Sequence, residues 1–439
     1  MFLQFNFSNF GPFKNEVSLD MEATSYSEFK DQVRTIGNKN ILPLGVIYGA
    51  NASGKSFIYK AFRYMRYLVR TSVNFDPNLR KTGQDSFLDP APFKLDKESL
   101  TKPSLFEIII TNLIDGKEIT YQYGFSIANH RVDSEWLYQL RKKESASSKV
   151  LLKREKDSIS VNVPKFDDAL KRTLETSTQV QTLVLSLAAK LGIEPFRSIL
   201  EFFALSEVDD FANLIETIYR DHVLPRGILD NTQIKNDCVA FLQTFEPSIK
   251  DLIFEELPSS QEEAKKYKVY TKHISQEGSE TLFQMEEESA GTQKMFLLFN
   301  DLHQIIEKGN VLFIDELNAR LHPLLLRNLL LLFLSKEKNP NNAQLIFTCH
   351  EPWLLRAKLL RRDEIYFTSK DQSTGEASLY SLAEFTDEKG AKIRPDEDFE
   401  KNYLLGKYDG IPSLKPIDFL TKGETHNWLL GAQGKPNAE

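Results

Sequence analysis

The sequence predicts an α/β fold: a mixed sheet flanked by helices, an N-terminal β lobe, and a mainly helical insertion that splits the core. Three observations carry that prediction. A glycine-rich stretch, Gly49 to Ser56, stands between a short apolar strand and an amphipathic helix. A second apolar strand, Val311 to Ile314, runs straight into two carboxylates, Asp315 and Glu316. Apolar runs alternate with helical patterns through the last third of the chain, as in sheets whose strands are joined by crossover helices.

Taken in order, Phe2 to Phe10 alternates loosely and predicts a strand, with Gly11-Pro12 as its turn. Leu44 to Tyr48 predicts a second strand, and Ile58, Ala61, Phe62, Met65, Leu68 and Val69 recur at helical spacing after it. Residues 105–138 predict a hairpin and its continuation, turning at Asp115-Gly116. Residues 141–156 then carry seven basic side chains against two acidic ones, which fits a solvated hairpin or linker, or a contact to nucleic acid or a partner. From Phe166 to about Leu257 the pattern is helical: Leu170, Leu174, Leu183, Val184, Leu187 and Leu191 fit one helix, broken near the Thr/Ser cluster. Further helical runs are expected around 195–222 and 232–246. Strand character returns at 267–274 and 280–285. The domains expected are 1–140 and 266–439 as the two halves of one core, with 141–265 as the mainly helical insert.

Composition narrows the class. The chain has 439 residues, 41% hydrophobic and 27% charged, enough apolar material for a sizeable core. Its net charge of −7 is unlike a nucleic-acid coat, so any such contact must come from a local patch. Two cysteines, Cys238 and Cys349, cannot build a disulfide framework and fit a reducing cytoplasm. The start lacks the basic segment and long apolar stretch of a signal peptide, and no run is long enough for a membrane span. A cytoplasmic location is the expectation.

Four pieces carry chemistry. Gly49-Ala50-Asn51-Ala52-Ser53-Gly54-Lys55-Ser56 matches G-x-x-x-x-G-K-[ST]. In that loop glycines let backbone N–H groups turn toward phosphate oxygens, the lysine reaches the β/γ-phosphates, and the serine hydroxyl ligates Mg²⁺. Gly49, Asn51, Ala52, Ser53, Gly54, Lys55 and Ser56 are thus the expected nucleotide contacts. Asp315 is expected to hold Mg²⁺ through water, and Glu316 to orient or deprotonate an attacking water. Ser289 and Gly291, within Glu288-Ser289-Ala290-Gly291-Thr292-Gln293, open a helix; they read equally as an ordinary cap or as a phosphate contact. His350 ends an apolar strand predicted to lie beside that of Asp315, where a neutral imidazole can sense a γ-phosphate; a lone histidine in such a place is otherwise structural.

This order of phosphate loop, insertion, serine–glycine helix, acid pair and strand-end histidine resembles the ATP-binding cassette ATPases, in their soluble SMC/RecF/OLD-like branch. ESAGTQK stands where that superfamily has its signature motif, and NARLHP where it has the dimer-contact loop. With NFGPFK, YKVYTKHI and Phe399 to Pro412, the chain is similar to the bacterial RloA and abortive-infection ATPases. The resemblance implies a P-loop, ABC-type ATPase head with ATP and Mg²⁺ as ligands. It implies a homodimer or higher oligomer with ATP sandwiched between heads, Ser289 and Gly291 facing the partner's nucleotide. It also implies a separately encoded effector, often a nuclease, in anti-phage defence, for which ATP acts as a switch. The alternative is a RecF-like DNA-repair ATPase whose basic stretch 141–156 meets duplex phosphates. A transporter subunit and a non-hydrolysing scaffold fit less well, the first because of the insert and divergent signature, the second because Glu316 is intact. Gln84 is the one candidate for the glutamine loop.

Overall fold

In the computed structural model the described residues are 1–74, 90–114, 116–141, 148–164, 166–211, 224–257, 266–319, 321–356, 358–386, 390 and 392–411. Gln84, residues 142–147 of the basic stretch, and Pro412 with the tail lie outside them.

The chain begins with β1 (Phe2–Ser8), β2 (Val17–Asp20), β3 (Arg34–Ile36), β4 (Lys39–Ile41) and β5 (Leu44–Gly49), followed by α1 (Lys55–Thr71). Next come β6 (Ser104–Ile114), β7 (Lys117–Ala128), β8 (Arg131–Leu140), β9 (Lys149–Glu155) and β10 (Ser158–Val161). Helices α2 (Asp168–Ser177), α3 (Val184–Lys190) and α4 (Phe196–Leu205) precede β11 (Glu207–Asp210), α5 (Thr232–Gln243) and β12 (Asp251–Glu256). The last part holds β13 (Tyr267–Ile274), β14 (Glu280–Gln284), α6 (Ala290–Lys308), β15 (Val311–Asp315), α7 (Pro323–Leu334) and β16 (Gln344–Thr348). It closes with α8 (Trp353–Arg356), β17 (Ile365–Lys370), β18 (Ala377–Ser381) and α9 (Phe399–Leu404).

Two large sheets organise these elements. The antiparallel lobe sheet runs β10-β9-β8-β7-β6-β1-β2. The core sheet runs β11-β15-β16-β5-β17-β18, parallel from β11 to β17 with an antiparallel edge at β18. All six residues of β5 are buried, because the strand lies between β16 and β17 with both faces covered. Alternate side chains feed two cores: Ile47, Val311, Phe313 and Ile346 pack with α1, α3, α4 and the lobe, while Val46, Tyr48, Leu312, Ile314 and Phe347 pack with α5, α6 and α7. The α1 face read from sequence, Ile58 through Val69, is buried as expected. Behind the core sheet, α9 reaches Gly49: the Tyr403 hydroxyl donates to the Gly410 carbonyl at 3.2 Å, and a Cβ on Gly410 would lie 3.5 Å from the Cα of Gly49.

Residues 141–265 contribute strands as well as helices. β9 and β10 extend the lobe sheet, which agrees with the hairpin reading of the basic stretch. Lys149 and Lys153 face solvent, while Arg154 is buried and donates to the carbonyls of Thr182, Gln179 and Lys156. These carbonyls lie in the linker between α2 and α3, the break expected near the Thr/Ser cluster, so Arg154 holds that linker in place. Glu135 completes that corner, accepting from the Tyr123 hydroxyl at 3.1 Å and from the backbone N–H groups of Val184 and Leu185 at 2.8 and 2.9 Å.

The helical reading of 195–222 fails at 207–210, which is β11, paired in parallel with β15. This acidic edge strand is half-buried, and its carboxylates are compensated locally. Arg66 of α1 pairs with Glu207 at 2.8 Å. Asp209 lies near Asp301 of α6; burial, then the neighbouring carboxyl, drives the Asp209 value well up, and burial raises that of Asp301. β12 likewise departs from the helical pattern, pairing with β13.

Candidate active site

The glycine-rich loop caps the C-terminal end of β5, where parallel sheets place ligand chemistry. Gly49 is required by contact: a Cβ there would lie 2.2 Å from Thr368 Oγ1 and 2.6 Å from the Thr368 carbonyl oxygen. Ala52 takes a left-handed conformation at φ 62°. Ser53 is buried and shares a 2.5 Å hydrogen bond with Thr368 Oγ1, which also donates to the Tyr48 carbonyl at 3.2 Å. Thr368, on β17, therefore fixes the loop from the side.

Lys55, the first residue of α1, is 6% exposed and curls back over the loop. Its Nζ donates to the carbonyls of Gly49 and Ala50 at 2.6 and 2.8 Å. Burial pulls its ammonium down to about 8, against the raising pull of Asp315 and Glu316. The N-terminal N–H groups of a helix lack intrahelical partners and carry its positive dipole end. A cation and a helix terminus around a cradle too tight for side chains at Gly49 and Gly54 suit a polyphosphate. Ser56 and Asp315 offer the hard oxygen donors that suit Mg²⁺. A cleft of about 1600 Å³ opens beside the loop, lined in part by Asn51, Ala52, Ser53, Thr374 and Asp409.

The acids arrive on the neighbouring strand but one. Asp315 ends β15, buried, and its Oδ1 accepts from the Thr348 hydroxyl at 2.5 Å. Glu316 leaves the strand at φ 54°, a left-handed conformation rare for glutamate. Its N–H donates to Thr348 Oγ1 at 2.8 Å, and its carbonyl accepts from the Ala319 N–H at 2.8 Å. The turn re-aims the side chain so that Glu316 Oε1 lies 3.9 Å from His350 Nε2. The His350 backbone N–H in turn donates to Asn318 Oδ1 at 3.4 Å. Burial, then the charge of Lys55, hold the imidazole below its ordinary value, with Asp315 opposing. Such a ring is neutral near pH 7 and free to accept or donate one hydrogen bond.

Lys55 at the start of α1, Asp315 and Glu316 at the end of β15, and His350 just after β16 thus converge at one end of the core sheet. Ser289 and Gly291 stand apart. Ser289 caps α6, accepting from the Thr292 N–H at 3.1 Å, and among the described residues its hydroxyl meets Thr292 rather than the glycine-rich loop. The preceding Glu288 is pinned by His273 and Thr271 of β13 at 2.7 and 2.5 Å. Lys294, one turn into α6, is buried and donates to the carbonyls of Phe211 and Ala319, which ties the helix to the loop after Glu316. Thr348, Thr368 and Asn318 escape the sequence reading. Only their places, a strand end, a mid-strand position beside the loop and the residue beside an acid turn, could have flagged them.

A parallel core sheet with this loop, acid pair and strand-end histidine defines a P-loop ATPase of the AAA type. Residues 44–356 match the family described as AAA domain, putative AbiEii toxin, type IV toxin–antitoxin system, and the chain belongs to that family. No curated protein matches the sequence. Among the described residues no helix is long and apolar enough to cross a membrane.

Proposed function

We propose that the protein binds ATP with Mg²⁺ and hydrolyses it. The observation that carries this reading is the convergence of Lys55, Asp315, Glu316 and His350 at the rim of one sheet. Lys55, with the N–H groups of Asn51 to Ser56, binds the β- and γ-phosphates. Ser56 and Asp315 hold Mg²⁺, which when bound neutralises charge developing on the phosphate oxygens. Glu316 accepts a proton from, or orients, the attacking water, and neutral His350 hydrogen-bonds the γ-phosphate.

The wider reading is an ABC-type head that dimerises around ATP and switches a separately encoded effector, in anti-phage defence. Three features support it. Ser289 and Gly291 sit at the start of a long helix whose first turn is tied to the loop after Glu316. The family description names a toxin–antitoxin system, which implies a cognate partner. Residues 141–265, taken as an insertion between the head halves 1–140 and 266–439, carry α3 and α4, which pack on α1, the helix after the glycine-rich loop, and so could relay its state.

Phosphate release by the purified chain tests the core of the proposal. Wild-type protein is expected to turn over ATP; Lys55→Ala is expected to lose nucleotide binding, and Glu316→Gln to bind ATP yet hydrolyse it on the order of 10²–10³-fold more slowly. A folded Lys55→Ala that binds ATP normally, or a Glu316→Gln at the wild-type rate, refutes it.

A further inference from the structure

Thr348 is fully buried at the last position of β16, two residues before His350 and between the strands that carry the loop and the acids. A hydroxyl has one proton to give and two lone pairs. Here the proton goes to Asp315 Oδ1 at 2.5 Å, and a lone pair receives the Glu316 N–H at 2.8 Å. Both acids of the site are therefore tied to one side-chain oxygen on a different strand.

Each tie has a consequence. With Oδ1 accepting from Thr348, the Asp315 carboxylate is held in one orientation. The Glu316 N–H is fixed while its backbone is held at φ 54°, where a non-glycine residue is strained. Without an acceptor at Oγ1 that peptide relaxes toward ordinary geometry and swings the carboxylate away from His350, now 3.9 Å distant. The same residue also joins the end of the histidine strand to the acids, so a shift of His350 is felt at both of them.

We propose that Thr348 is a positioning residue for hydrolysis, fixing the orientation of Asp315 and the turn at Glu316 and coupling both to the strand that carries His350. This inference rests on the ATPase reading given above. Hydrogen-bond partners one step behind a metal ligand or base lower activity or metal affinity by roughly 10–100-fold when removed.

The test compares Thr348→Val, which keeps the shape and removes the hydroxyl, with Thr348→Ser, which keeps the hydroxyl. In ATPase assays with Mg²⁺ titrated at saturating ATP, Thr348→Val is expected to lose roughly 10–100-fold in kcat and to need more Mg²⁺ for half-maximal rate. Its KM for ATP is expected to stay at the wild-type value, and Thr348→Ser to recover most of kcat. Should the valine variant fail to fold, Thr348→Ala must show the same kcat loss. A folded valine or alanine variant with wild-type kcat and Mg²⁺ dependence overturns the inference. So does one whose loss lies wholly in ATP binding, or a serine variant as impaired as valine. If the wild type itself shows no hydrolysis that depends on Lys55 and Glu316, it is the ATPase reading that fails, and this one with it.

Discussion

Replacing Gly49 by alanine adds a single carbon at the most crowded point of the site. That Cβ would sit 2.2 Å from Thr368 Oγ1, 2.6 Å from Ser53 Oγ and 2.6 Å from the Thr368 carbonyl oxygen. The two hydroxyls can rotate, but the carbonyl is paired into the core sheet and cannot. Ordinary contact begins at 3.4 Å, so the loop must retreat by about 0.8 Å, and a misplacement near 1 Å costs on the order of 10²-fold in rate. That corresponds to about 2.7 kcal/mol. The assay is ATP turnover together with binding of a fluorescent ATP analogue, on protein shown to be folded by its melting transition. Adding Thr368→Ala should recover only part of the loss, because the carbonyl clash remains. Gly278→Ala is the control: φ is +79°, no atom lies within 4 Å of its Cβ, and activity should be unchanged. A Gly49→Ala protein with wild-type turnover and affinity would show that the loop does not need this close approach.

Three further outcomes are expected. In wild-type protein the raised carboxyl values of Asp209 and Asp301 mean that the folded state binds protons there more tightly than the unfolded state does. Their contribution is therefore full below the ordinary carboxylate range and is lost as pH rises above it toward the folded values, so Asp301→Asn should flatten the fall in melting temperature above the ordinary carboxylate range; an unchanged slope refutes the coupling of the two carboxyls. Glu135→Ala strips the acceptor from Tyr123, Val184 and Leu185 and leaves Arg154, 3.9 Å away, without its counter-charge. It should lower stability by about 3–5 kcal/mol in denaturant titration, and a shift in midpoint too small to measure would count against the network. Ser289→Arg should spare ATP binding by a single head and block ATP-dependent dimerisation; mixing it with Lys55→Ala should restore dimers carrying one intact site, and failure to do so despite subunit exchange would exclude a site shared between two chains.

The parts of the site that were legible share one property: their chemistry is written in neighbouring residues. The glycine-rich loop, the acid pair after an apolar strand and the strand-end histidine each need only a short window, and the apolar face of α1 is set by its own periodicity. What escaped depends on partners far along the chain. Glu207 to Asp210 reads as anything but an edge strand until Arg66 is in place to pair with Glu207 and the strand is registered against β15. The break between α2 and α3 is signalled by the Thr/Ser cluster, but no local pattern reveals that Arg154 holds the linker carbonyls there. Thr348 and Thr368 are ordinary strand threonines in sequence, and only the register of β16 and β17 against β5 brings their hydroxyls to the acids and the loop. The Asp315–Glu316 turn shows the same division: its residues announce themselves, while the hydroxyl that holds the turn does not.

The central place of β5 has a consequence for how the protein is made. Its neighbours β16 and β17 follow about 300 residues later, which at about 5–20 residues per second is roughly 15–60 s of translation. During that interval Leu-Gly-Val-Ile-Tyr-Gly has no charge and no strand on either side, the kind of segment that pairs with whatever edge it meets. The lobe sheet is better placed, since β6 to β10 join strands adjacent in sequence and can close while the ribosome is still working. The glycine-rich loop is among the first functional residues synthesised and among the last to be held, because Thr368 and the segment ending at Gly410 must arrive before it is packed. A chain cut short before Thr348 would carry the phosphate-loop motif in full with neither flanking strand of its sheet complete.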